Sequence, residues 1–181
     1  MRIAAVALLS LCALPAGSFV EIARADSPKV TYAMIEAMQH SLDNKLAGLW
    51  PQDPAEVLGL SQGAYIQGYG AVFLGEVNLA PAAGISPFHP AVTADEIRRT
   101  HEKKMQRMPA VRKAMRAMLV DLARSLDSLP SDEQVAVGLS LFYWKGENRE
   151  GLPAQIVMHA PRKVLLESAG ADHASIATEE F

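Results

Sequence analysis

The chain has 181 residues, 50% of them hydrophobic, 20% charged and 6% aromatic, with a formal net charge of −3. That balance excludes a disordered polyelectrolyte or a collagen-like repeat, and the length suits one globular domain. A domain of this size buries about 70% of its unfolded surface, so it needs neither disulfides nor a metal to hold a core.

Residues 1–25 differ in kind from the rest. Arg2 heads an apolar run over 3–14 that is too short for a comfortable membrane anchor, and Ala23-Arg24-Ala25 places small residues where a signal peptidase reads them. Residues 1–25 are therefore expected to be a signal peptide, the mature chain to begin at Asp26, and the protein to be periplasmic or extracellular. Cys12 is the one cysteine, so the mature part has no disulfide, thiolate-held metal or thiol nucleophile. Without the signal the net charge is −4.

Ser27-Pro28 is a helix-start signal, since serine caps free amides and a proline in the first turn needs no donor. Met34, Met38, Leu42 and Leu46 then recur every four residues until Gly48 and Pro51 end the pattern. From Val57 the texture changes to short apolar runs, which predict strands over 57–60, 64–67 and 71–79 with glycine-bearing turns between them. In the third run Phe73, Val77 and Leu79 share one face while Glu76 and Asn78 take the other, which predicts one wet side. Four irregular residues, Pro81, Gly84, Pro87 and Pro90, send the next segment across the surface with Phe88 and His89 as exposed binding candidates.

Thr93-Ala94-Asp95-Glu96 spells a capping box. An apolar stripe from Ile97 to Leu129 follows at helical spacing, and Pro109 within it predicts two helices or one kinked helix. After Pro130, alternation through Val135, Val137, Leu139, Leu141 and Tyr143 predicts a strand, 144–151 a charged hairpin tip, and 154–158 the returning strand. A short helix over 161–169 and a flexible tail over 171–181 complete the chain. The expected fold is α+β: an antiparallel sheet of about five strands covered by an N-terminal helix and a long, Pro-interrupted basic helical region, as one domain over 26–170.

Two motifs suggest chemistry. Gly59-Leu60-Ser61-Gln62-Gly63 has the G-x-S-x-G form of a nucleophile elbow, in which Ser61 would be the nucleophile of a small secreted serine hydrolase and His159 or His173 its base. The residues after Gly63 read as strand rather than helix, which favours a hairpin turn. His101 and Met105 share a helix face, and with Met108, Met115 and Met118 they suggest a copper-handling or holdase-like protein if those thioethers reach solvent. No other metal-ligand spacing occurs, and Gly68-Tyr69-Gly70 lacks the third glycine and the following helix of a nucleotide loop, so no cofactor is expected.

Charge layout is the most unusual feature. Arg98, Arg99, Lys103, Lys104, Arg107, Arg112, Lys113 and Arg116 face a single acid, Glu102, in a +7 segment, leaving −11 for the rest of the mature chain. For an exported protein this segment would meet acidic protein, polysaccharide or lipid head groups rather than nucleic acid, unless the chain's own acids neutralise it. The expected function is a non-enzymatic binding or interaction protein; oligomeric state has no sequence signal.

Overall fold

The computed structural model describes residues 30–81, 92–167 and 176–181. The expected signal peptide lies outside them. Thr31 starts the first helix by accepting the Met34 amide on its hydroxyl at 3.3 Å, and α1 runs Tyr32–Ala47. Its apolar spacing turns Ile35, Leu42 and Leu46 inward.

Two short strands, β1 (Glu56–Val57) and β2 (Gln62–Ile66), pair antiparallel with the same edge of β3 (Gly70–Asn78). Val57 stands opposite Val77 and Gln62 opposite Leu74, so residues 58–61 face only Gly75 and Glu76. The surplus residues bulge, and Gly59 takes the positive φ of 72° that the bend requires. At the other end of the hairpin, a Cβ on Gly70 would lie 1.9 Å from the Gln134 carbonyl oxygen, so glycine is what lets the next strand start alongside.

That strand is reached through α2 (Ala94–Ser125), whose capping box forms as the sequence spells it, with Thr93 N–H donating to Glu96 Oε2 at 2.8 Å. The helix has 32 residues, about 48 Å of rise, and continues through Pro109 as one helix, so of the two expected alternatives the pair of separate helices is excluded. Pro109 is exposed, while Met108 and Val111 on either side of it are buried. Their packing offsets the roughly 3 kcal/mol that an internal proline costs.

A connection of that length brings the chain back to the same end of the sheet. Consequently β4 (Gln134–Leu141) runs parallel to β3, not antiparallel as expected. β5 (Gln155–Pro161) returns as a hairpin, α3 (Arg162–Glu167) follows, and β6 (Ala177–Glu180) pairs antiparallel with β5. Residues assigned from sequence to a flexible tail thus form an edge strand. They escaped notice because all four are exposed and show no apolar alternation.

The result is a mixed α+β fold with a six-stranded, mostly antiparallel sheet in the order β1-β3-β4-β5-β6, β2 lying beside β1 on β3. One face of the sheet carries the core. Phe73, Val77, Val137, Leu139, Ile156 and Met158 meet α1 through Leu42 and Leu46 and α2 through Met115 and Leu119 in one buried cluster, to which α3 adds Leu165.

Candidate functional site

Ser61 sits at the end of the bulge, 3% exposed, on the helix-covered side of the sheet. Its hydroxyl donates to Asp43 Oδ1 at 2.5 Å, and its amide donates to the same oxygen at 3.1 Å. Asp43 thereby ties the bulge to α1. The second glycine of the motif has a packing reason too, since a Cβ on Gly63 would come within 2.7 Å of Ile35 Cγ2 and 2.9 Å of the Phe73 ring. A groove of about 250 Å³ opens beside Ser61, and His40 lines it without hydrogen-bonding to the serine.

His159 is on β5, three strands away or about 14 Å, and its side chain is on the opposite sheet face. There it lies 3.4 Å from Gln134 Oε1 and 3.9 Å from Glu179. The structure does not bring Ser61 and His159 together; His173 lies outside the described residues.

The basic residues of α2 find acids of the same chain. Asp95 takes Arg98 at 2.7 Å and Arg99 at 2.9 Å, hydrogen bonds that hold its carboxyl below the usual range. Asp53 receives Lys103 at 2.6 Å and Arg107 at 2.7 Å, and the Lys103 hydrogen bond lowers its pKa most. Arg107 is buried, donates also to the carbonyls of Leu79 and Asp53, and stacks its guanidinium 4.5 Å above the Trp50 ring. Arg112 grips Glu180 with two hydrogen bonds of 2.6 and 2.8 Å, and Arg116 adds attraction to the same carboxylate. Lys113 is exposed and makes no ion pair among the described residues. Phe88 and His89 lie outside them.

Lys104 is the surprise in this series. Its ammonium meets Glu147 at 2.6 Å with side-chain exposures of 1% and 0%, donates to the Phe142 carbonyl at 2.7 Å and lies 4.4 Å above the Tyr143 ring. Burial pushes its pKa down, with Glu147 opposing. The Tyr143 hydroxyl donates to the Pro153 carbonyl at 2.8 Å, and burial, with the nearby Glu147 charge, pushes its pKa up to about 12. This cluster fastens the loop after β4 onto α2. Sequence reading missed it because the two charges are 43 positions apart, each inside a segment that reads as solvated.

Of the α2 methionines, Met108, Met115 and Met118 are closed in the core and only Met105 is exposed. Among the described residues no group of three or more His, Cys, Asp or Glu could hold a metal ion.

The remaining surface is the sheet's second face. Strand registers place its side chains in rows across the strands. Glu179, Val157, Gly138, Leu74 and Gln62 form one row; Ala177, His159, Ala136, Val72 and Ala64 form the next. Ile66 continues the apolar area at the β2 end, and Phe181 flanks it beyond β6, exchanging backbone hydrogen bonds with Gln155. Among the described residues no helix covers this face: Leu74 is 47% exposed, Ile66 53% and Phe181 66%. Leu74 lies over Gly138, where a Cβ would come within 2.6 Å of Leu74 Cδ2.

No protein-family model matches the chain, and comparisons with curated proteins and with solved structures return no match.

Proposed function

We propose that the chain is an exported, non-enzymatic interaction protein that engages another polypeptide through the open face of its sheet. One observation carries the reading: Leu74 and Ile66 are exposed, with half-buried Val72 in the row between them and half-buried Val157 in the Leu74 row, on a face that no described helix covers. Contiguous exposed apolar surface of this kind marks interaction sites, and a sheet normally buries both its faces or keeps one polar. Export is supported by Arg2, the apolar run behind it and Ala23-Arg24-Ala25. A non-enzymatic role is supported by Ser61, whose proton is engaged by Asp43 with His159 on the other side of the sheet.

Docking of an acidic macromolecule through the basic helix has less to draw on. Lys104 and Arg107 are buried, and Arg98, Arg99, Lys103 and Arg112 already face carboxylates of their own chain.

The test is parallel capture from envelope extract on three immobilised proteins: wild type, Leu74→Glu, and the charge reversal Arg98→Glu/Arg99→Glu/Lys113→Glu. The proposal expects a partner that survives the charge reversal and is lost from Leu74→Glu. A partner lost from the charge reversal and retained by Leu74→Glu would return the contact to the basic helix.

A further inference from the structure

We infer that the occupant of the open face is a cationic amphipathic helix of another protein, an inference that rests on the reading above and names its partner chemistry. The six strands contain no lysine or arginine at all; their charged residues are Glu56, Glu76, Glu179 and Glu180, together with His159. Glu180 turns to the helix side and pairs with Arg112. Registers put Glu56, Glu76 and Glu179 on the open face, Glu76 and Glu179 at opposite sides of the apolar centre.

Glu56 and Glu76 have no ion-pair partner among the described residues, and Glu179 has only His159 at 3.9 Å. An apolar strip bounded by carboxylates that no lysine or arginine of the described residues neutralises selects lysine and arginine on its visitor. The partner charge is therefore the opposite of the one that the +7 segment suggests.

A second copy of the chain fits poorly, because apposing two such faces sets carboxylates against carboxylates with no strand lysine or arginine to separate them. A strand added at the sheet edge also fits poorly. β6 offers four residues, two of them glutamates, and the opposite edge is broken by the bulge over 58–61. A helix laid across the face supplies the missing second layer. The distance from β2 to β6 is about 19 Å at the usual strand spacing, which a helix of about 14 residues spans.

The experiment titrates the full mature chain against two labelled synthetic helices of about 14 residues with the same leucine pattern, one carrying lysine at its polar positions and the other glutamate, read by fluorescence anisotropy. The lysine helix is expected to bind at least about tenfold more tightly than its twin, because the twin meets like charge. Glu76→Gln/Glu179→Gln is expected to weaken the lysine helix about threefold to tenfold and to flatten its salt dependence. Leu74→Glu, or Ile66→Glu should the first variant not fold, is expected to abolish binding.

Equal binding of the two helices, lost in Leu74→Glu, would overturn the charge assignment and leave the open-face reading standing. Binding of the lysine helix that neither set of variants changes would place it elsewhere and overturn the inference. Sedimentation of wild type as a dimer that Leu74→Glu dissociates would make the occupant a second copy, and the inference would fail.

Discussion

The ammonium of Lys104 and the carboxylate of Glu147 meet at 2.6 Å with almost no solvent contact, joining the middle of α2 to the loop after β4. Two charges removed from water in this way gain little net stability as a pair, but each is costly without the other. Lys104→Met is therefore expected to destabilise the fold by about 3 to 5 kcal/mol, and Lys104→Met/Glu147→Leu to recover most of that loss. Denaturant titration of the three proteins checks it; a Lys104→Met protein as stable as wild type would mean that the pair is not closed off from water.

Tyr143 adds a pH dependence to the same cluster. Its pKa is raised, mainly by burial, from 10.0 to about 12, so the neutral phenol is the form that the folded chain prefers. The unfolded chain loses this proton first. Tyr143 thus contributes stability that is intact below pH 10 and falls away as pH rises toward about 12. Lys104, with its pKa lowered by burial, acts with the opposite sign. The informative comparison is consequently wild type against Tyr143→Phe: the variant should show the smaller alkaline decline in denaturation midpoint.

Arg112 and Glu180 hold the last strand. The hydrogen bond from Arg112 lowers the Glu180 pKa below 4.5, so the contribution is present above that pH and is lost as pH falls through the folded-state value. Both side chains are about 30% exposed, which limits the pair to about 0.5 to 1 kcal/mol. Arg112→Gln should speed exchange of the Phe181 amide, which donates to the Gln155 carbonyl, relative to its intrinsic rate, and acid should raise the same ratio in wild type once the slower intrinsic exchange at low pH is divided out. Exchange indifferent to both changes would show that β6 is held by its backbone alone.

Ser61 is expected to behave as a structural residue. Ser61→Ala removes the hydroxyl that Asp43 accepts and should cost about 1 to 2 kcal/mol. Retention of the captured partner by a folded Ser61→Ala protein is the accompanying outcome; selective loss of function without loss of stability would give the serine a chemical role.

Two glycines with positive φ should differ sharply when changed to alanine. At Gly59 nothing lies within 4 Å of an added Cβ, so only the left-handed backbone is penalised, at about 1 to 2 kcal/mol. At Gly70 the Cβ would strike the Gln134 backbone, and the loss should exceed about 3 kcal/mol. Equal thermal shifts for the two variants would contradict the close approach of β3 and β4.

These residues also mark what the sequence could disclose. The capping box, the apolar stripe of α2 and the alternation in β3 and β4 are local patterns, and they led to α2, the main strands and an outward-facing Glu76 on β3, although Asn78 on the same face is buried. The parallel pairing of β3 with β4 depends on where a 32-residue helix delivers the chain, which no local period encodes. β6 lacked a pattern because an exposed edge strand needs none. The fate of the basic segment turned on partners as distant as Asp53 and Glu180, so its charges looked unpaired in one dimension and are mostly paired in three. Ser61 shows the converse: a motif with the right letters, folded into a bulge that a neighbouring aspartate secures.

Thiol labelling gives the most direct measurement of the central claim, because the sequence has a single cysteine, Cys12, inside the expected signal peptide. Leu74→Cys and Lys113→Cys each create one reactive position within residues 26–181, the first on the open sheet face and the second on the exposed side of α2. Alkylation rates are compared with and without envelope extract. The account predicts protection at Leu74→Cys and an unchanged rate at Lys113→Cys; an unchanged rate at Leu74→Cys with protection at Lys113→Cys would contradict it.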